Sequence, residues 1–145
     1  MIALIQRVTQ ANVSVNGIQI GTIERGIMAL IAVEKQDSEK STQRLFERIV
    51  SYRIFPDAED RMNLNLQAVQ GGLLLIPQFT LAADTNSGNR PSFTPAASPE
   101  KGEELFNYFV SYAKNNFPNI QTGQFGADMQ VALINDGPVT FTLKV

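Results

Sequence analysis

The chain has 145 residues, 43% of them hydrophobic, with 12 Lys+Arg against 14 Asp+Glu and a formal net charge of −2. A domain of that length buries roughly 70% of its unfolded surface, enough for one core without disulfide or metal staples. Neither His nor Cys occurs, which excludes a Cys/His metal centre, a thiol nucleophile and a Ser–His–Asp triad. The slightly acidic balance argues against a broad nucleic-acid-binding surface, so any RNA contact must rest on a local cluster. A chain without cysteine suits a reducing cytosol. The opening MIALIQRV meets a charge too early for a signal peptide, and no apolar run is long enough to span a membrane. These features predict one cytoplasmic domain over residues 1–145, with no membrane partner.

Ile2–Val8 reads as a strand. Val13-Ser14-Val15-Asn16-Gly17-Ile18-Gln19-Ile20 reads as a hairpin, because Asn-Gly supplies the two positive-φ positions of a tight turn. A two-residue turn there pairs Val15 with Ile18 and Val13 with Ile20 on one apolar face. Ile27–Val33 is apolar on both faces, as a central buried strand should be. Asp37-Ser38 offers an N-cap for a helix running to about Tyr52, with Leu45, Phe46, Ile49 and Val50 as its buried stripe. After an acidic loop, Gly71-Gly72 turns into the apolar run Leu73–Ile76, which Pro77 ends. Ser98 caps a second helix with Pro99 at its first position, Glu100 in its first turn, and Leu105, Phe106, Phe109, Tyr112 and Ala113 facing inward. Met129–Ile134 and Val139–Val145 are strands again. The whole reads as α+β, a mostly antiparallel curved sheet or barrel-like sandwich with two outer helices.

Two places depart from local rules. A proline lacks the N–H that a ladder needs, so pairing stops at Pro77. Beyond it, an extended chain would put Gln78 and Thr80 on one face and Phe79 on the other. This is either a strand end with a core Phe and two satisfied polar groups, or a site. The connection from about Asp84 to Ala97 is long for a compact domain, and such loops are commonly functional. The second place, Asn135-Asp136-Gly137-Pro138, reads by spacing alone as a hairpin turn.

Taken together, these segments resemble the D-aminoacyl-tRNA deacylase family. The similarity runs through the whole chain in ordered blocks. They include Ile5-Gln6-Arg7-Val8, Val33-Glu34-Lys35, Arg53-Ile54-Phe55, Met62-Asn63-Leu64 and Gln78-Phe79-Thr80-Leu81. Later blocks are Ala83-Asp84-Thr85, Arg90-Pro91-Ser92-Phe93, Thr122-Gly123, Phe125-Gly126, Asp128-Met129-Gln130-Val131 and Asn135-Asp136-Gly137-Pro138-Val139-Thr140. The resemblance implies a homodimeric cytosolic hydrolase that cleaves the ester between a D-amino acid and the 3′-terminal adenosine of tRNA. It implies no metal and no cofactor, and neither membrane nor DNA as partner. It assigns Gln78, Phe79 and Thr80 to the catalytic pocket. Gly137 and Pro138, joined by a cis peptide, become a chiral gate that enters the other subunit's site. Arg7 holds the gate, and Phe125 and Met129 lie near the terminal adenine. The family usually has Ser where Pro77 stands here, and activity is expected without that hydroxyl.

A threonine hydroxyl without an adjacent base is a weak nucleophile. The alternative uses the substrate's own 2′-hydroxyl to orient or activate water, with backbone N–H groups at the developing oxyanion. Exclusion by backbone carbonyls rejects L-side chains but cannot reject glycine, so glycyl-tRNA, including tRNA(Ala) mischarged with glycine, is an expected substrate. Arg7, Lys35, Arg53 and Arg90 are the candidate grips on the acceptor end. Composition and periodicity fit equally well a non-catalytic module binding an RNA end or small molecule, or a structural dimer. Only the ordered blocks favour the enzyme.

Overall fold

The apolar positions near the N-terminus make one long strand, β1 (Ile2–Val15), in a computed structural model that describes residues 1–145. Its buried residues are Ala3 and Ile5, then Val8, then Ala11 and Val13. The phase of the alternation changes twice, and it does so where the pairing register shifts, between Gln6 and Val8 and between Val8 and Gln10. Up to Val8 the strand keeps its register with β3, so Ile5 and Val8 face opposite sides and join different cores; beyond it, Thr9 is a surplus residue of β1 itself and moves burial on to Ala11.

One edge of β1 is paired along its length with the antiparallel strand β8 (Met129–Lys144). The other edge carries β3 (Gly26–Ala32) against Ile2–Val8 and β2 (Ile18–Ile23) against Ala11–Val15. Next to β3 lies β6 (Gly72–Pro77), and next to β6 lies β7 (Ile120–Thr122); both of these pairings are parallel. Parallel neighbours need crossover connections. The helix α1 (Glu39–Ser51) and the small hairpin of β4 (Phe55–Pro56) and β5 (Met62–Leu64) join β3 to β6, and α2 (Pro99–Asn116) joins β6 to β7. The sheet curls until β2 approaches β7: a Cβ built on Gly21 would stand 3.2 Å from the Thr122 carbonyl oxygen. The α+β, barrel-like reading with two outer helices describes this arrangement.

The helices share one core with the sheet. Leu45, Phe46 and Ile49 of α1 meet Leu105, Phe106, Phe109 and Ala113 of α2 and the sheet residues Ile5, Ile27, Leu73 and Leu75. Phe46 packs edge-on to Phe109 and Tyr112, at centroid distances of 6.1 and 5.6 Å. Burial of each such side chain contributes about 1.5–3 kcal/mol before entropy is counted. Ser98 caps α2 as expected, its hydroxyl accepting from Lys101 N.

Two expectations are corrected. Asn16 and Gly17 do form the turn, with φ of 50° and 76°. However, a bulge between Val13 and Ser14 sets Val13 opposite Gly21 rather than Ile20, and Ile18 and Ile20 are exposed. Residues 135–138 are not a hairpin turn, since β8 runs through them while staying paired to β1 on both sides. Of the pair Asp37-Ser38, it is Ser38 that caps α1. The Asp37 side chain is buried, with Oδ1 accepting from the Met1 ammonium at 2.6 Å and Oδ2 from the Glu34 amide at 2.7 Å.

That ammonium also donates to Glu34 Oε2 at 3.2 Å and to the Val145 carbonyl oxygen at 3.1 Å, while Lys144 pairs with Glu34 Oε1. The two ends of the chain are thus joined to the β3–α1 connection. Removing one partner of a buried ion pair leaves the other uncompensated, so Asp37→Ala should lower the unfolding free energy by about 3 kcal/mol in urea titrations. Burial raises the Glu34 carboxyl pKa, but Lys144 and the terminal ammonium outweigh it, and the result lies below the ordinary glutamate value. A folded-state value below the unfolded one means stability present above the ordinary range and lost as pH falls through the depressed value. Glu34→Gln should therefore lower Tm at neutral pH and flatten its further fall on acidification, as measured by calorimetry across that range.

Candidate active site

Strand β6 ends where its sequence forces it to. Pro77 faces Ile31 across the parallel ladder but has no N–H, and the next amide, Gln78 N, donates to Ile31 O at 2.7 Å. The chain then winds into a 3-10 turn, Phe79–Ala82. The expected extended segment, with Gln78 and Thr80 on one face, is therefore replaced by a turn. Gln78 and Thr80 still come together, Gln78 Nε2 donating to Thr80 Oγ1 at 2.6 Å. As the first residues of the turn, Phe79 and Thr80 have no acceptor within it for their amides. The Phe79 side chain is exposed and packs at 5.2 Å between centroids on Phe93, from the long loop that follows.

The facing wall comes from the β7–β8 connection. Gly123 N donates to Leu75 O at 2.9 Å, fixing that connection beside β6, and Gln124 N lies 3.4 Å from the Met129 sulfur. Phe125 leans on Phe106 of α2, with ring centroids 6.4 Å apart. It reaches that position over Gly102, where a Cβ would stand 3.3 Å from the Phe125 ring. Between these walls and Ala97-Ser98-Pro99 is a cleft of about 470 Å³ lined by Pro77, Gln78, Phe79, Phe125 and Met129 among others. That volume suits a small organic ligand. Asp128 is the one ionisable residue in the lining.

Arg7, Gly137 and Pro138 form a second group. Gln6 pairs with Thr140 and Val8 with Asn135, so Arg7 alone faces Asp136, Gly137, Pro138 and Val139. The Gly137-Pro138 peptide is cis, and Gly137 has φ of 129°. A side chain at Gly137 would begin 2.7 Å from Val139 Cγ2 and 3.1 Å from Arg7 Nη2. The Arg7 guanidinium, largely buried, donates from Nε to Asp136 O at 3.1 Å and from Nη1 to Ile54 O at 2.8 Å, with the Asp136 carboxylate at 3.3 Å. Asn135 closes the bulge, its Oδ1 accepting from Val139 N and its Nδ2 donating to Thr140 Oγ1.

Comparison with known proteins bears directly on this chain. The model of the family described as D-Tyr-tRNA(Tyr) deacylase matches residues 4–144. The chain belongs to that family. It is 57% identical to a D-aminoacyl-tRNA deacylase of Cupriavidus metallidurans, the match covering 100% of this chain and 96% of the relative. The corresponding protein of Methylococcus capsulatus is 58% identical, with 99% and 94% covered, and that of Pseudoalteromonas atlantica is 56% identical over the full length of both. A solved structure named c-Myc DNA Unwinding Element Binding Protein superposes with a TM-score of 0.95 at 36% identity, covering 100% of this chain and 99% of that one. A probable eukaryotic D-amino acid tRNA deacylase shares the fold, at TM-score 0.81 and 17% identity, with 99% and 98% covered.

Of the residues singled out in the sequence of this deacylase-family chain, Gln78, Phe79, Phe125 and Met129 line one cleft. Thr80 stands just outside the lining, joined to it through Gln78. Gly137, Pro138 and Arg7 do not line the cleft of their own chain. Arg7 points Nε at Asp136 O and Nη1 at Ile54 O, which ties its guanidinium to the backbone around the bulge. Asp84 is occupied by Asn86 and forms no hydrogen bond with Thr80. Gly102 escaped sequence reading, and Asp128 was quoted only within a block, without a role in the cleft. Gly102 had a signal, because glycine inside a helix costs about 1 kcal/mol relative to alanine and so marks close packing. Arg7→Ala should release the bulge, with hydrogen exchange at the Val139 amide faster by about tenfold or more. Arg7→Lys, a single point donor, should restore only part of the protection.

Proposed function

We propose that the chain is an aminoacyl-tRNA editing hydrolase that cleaves D-aminoacyl-tRNA, and that the cleft holds the aminoacylated terminal adenosine. Full-length membership of the deacylase family carries this reading. Water adds to the ester carbonyl, the bond to the ribose oxygen breaks, and a free D-amino acid and a tRNA with its hydroxyl restored leave. The cleft offers no imidazole or thiol to drive this step. Thr80 is a poor nucleophile where it sits: its oxygen accepts from the Gln78 amide, a group that cannot take its proton. The amides at the start of the Phe79–Ala82 turn are suited to a developing oxyanion. The vicinal 2′-hydroxyl of the ribose then supplies the group that orients or activates water. Pro77 in the lining brings no hydroxyl, in keeping with a reaction that needs none from that position.

Discrimination between mirror images is assigned to Gly137-Pro138 acting across a homodimer. The open edge of β8 supports this reading, since that strand pairs only with β1 and presents an exposed Ile134. So does the rigid mounting of the dipeptide on Arg7 and Asn135, away from its own chain's cleft. Main-chain oxygens in the place an L-side chain would occupy exclude even a methyl group, while a D-side chain points elsewhere. Glycine has nothing to exclude, so glycyl-tRNA, including tRNA(Ala) carrying glycine, is also hydrolysed. The reaction takes place in the cytoplasm, where aminoacyl-tRNA is found.

Parallel incubation with D-tyrosyl-tRNA, L-tyrosyl-tRNA and glycyl-tRNA should show fast release from the first, release from the third, and none from the second. Binding without release would instead favour a non-catalytic module. On D-tyrosyl-tRNA ending in 2′-deoxyadenosine, turnover should vanish, whereas Thr80→Ala should keep activity within about tenfold of the parent. Vigorous cleavage of the deoxy substrate with a dead Thr80→Ala variant would restore threonine as nucleophile.

A further inference from the structure

Running outward from the cleft, the molecule presents an aromatic surface that folding does not explain. Phe79 and Phe93 are 55% and 43% exposed, and their rings meet at 5.2 Å with 52° between planes. Two exposed phenylalanines side by side forgo burial worth having, which marks a contact surface. The loop that carries Phe93 is firmly held. Asp84 and Ser92 exchange both backbone hydrogen bonds, at 2.7 and 3.0 Å, and the Ser92 and Thr94 hydroxyls meet at 3.0 Å on either side of Phe93. Ala96 N donates to Phe93 O, and Ala97 N to Val33 O. The ring is therefore presented by an ordered backbone rather than left on a loose tip.

Arg90, in the same loop, is exposed and has no carboxylate partner; the neighbouring Asp84 carboxylate is engaged by Asn86. Phe79 lines the cleft and Phe93 does not, so the pair runs from the cleft outward. Aromatic faces beside an unpaired guanidinium are how proteins take hold of single-stranded nucleic acid, base on ring and phosphate on cation.

We propose that Phe93, with Phe79 behind it and Arg90 in the same loop, forms a stacking platform for the unpaired nucleotide that precedes the terminal adenosine of the RNA. The proposal rests on the deacylase reading, because that reading places the terminal adenosine in the cleft and sends the strand out past Phe79. Phe93 acts as a positioning residue: it touches neither the ester nor the attacking water. The platform contributes grip independent of the amino acid, and this is how a chain of net charge −2 can hold an RNA end.

The test compares D-tyrosyl-tRNA with the D-tyrosyl ester of adenosine alone, in the parent, Phe93→Ala, Phe93→Trp and Arg90→Ala. Phe93→Ala should raise KM for the tRNA substrate about tenfold with kcat little changed. The loss on tRNA should be at least about fivefold larger than on the adenosine ester, and Phe93→Trp should recover it. Arg90→Ala should reduce the salt dependence of KM by about one phosphate's share. Equal losses on the two substrates, no loss on either, or conversion of a dimer to monomers by Phe93→Ala in sedimentation would overturn the platform. The second arm titrates uncharged fluorescent RNA ending in -ACCA into parent and Phe93→Ala. If the parent releases no D-amino acid, the deacylase reading fails. Binding about tenfold weaker in Phe93→Ala then still upholds the platform, and equal or absent binding rejects it.

Discussion

Arg7 faces four residues of β8 where an unbroken ladder would give it one, and most of the molecule's organisation follows from that mismatch. A strand that must pair on both sides of an insertion needs something to hold the surplus. Here a buried guanidinium does so, donating to Asp136 O and to Ile54 O, while Asn135 bridges to Val139 and Thr140. Charge-assisted bonds in a partly desolvated setting are stronger than neutral ones. The surplus residues, Gly137 and Pro138 among them, thereby acquire one conformation in the middle of a strand, without the freedom of an exposed loop. On its other edge β1 stays in register with β3 through the same stretch, so Ile5 and Val8 point to opposite faces and enter different cores.

The cleft is made by a different set of parts. Proline stops β6, a 3-10 turn exposes the first amides, and a glycine within α2 lets Phe125 come down as the opposite wall. Almost everything in the lining is apolar or backbone. Such a lining can position a substrate and aim fixed dipoles at it, but it offers no imidazole for proton transfer. Under the proposed function, the substrate's own hydroxyl takes the place where a base would be needed.

Much of this was legible beforehand, for definite reasons. The helices announce themselves through Ser38, Ser98 and Pro99 and through a 3.6-residue apolar stripe, and they begin within a residue or two of the expected positions. The break at Pro77 was readable because a missing N–H is a property of the residue itself. The turn beyond it was not, since Gln78–Ala82 carries no strong local preference and its path is decided by where Ile31 leaves an acceptor. The bulge in β8 was unreadable for a similar reason: Asn-Asp-Gly-Pro favours a reversal locally, and only pairing with β1 on both sides keeps the chain going straight. Asp37 looked like a cap and became the partner of the chain's own ammonium, a contact between residues far apart in sequence.

The residues alone determined the helix caps, the central apolar strands, the exclusion of imidazole and thiol chemistry, and family membership through ordered blocks. Each of these depends on side-chain type or short-range spacing. Tertiary structure decided which strands run parallel, where β1 changes phase, that Phe125 and Gln78 share a cleft, and that Gly137-Pro138 stands outside the cleft of its own chain. Those outcomes depend on backbone groups meeting across long loops, and a list of side chains carries no record of which carbonyl will be left waiting for which amide.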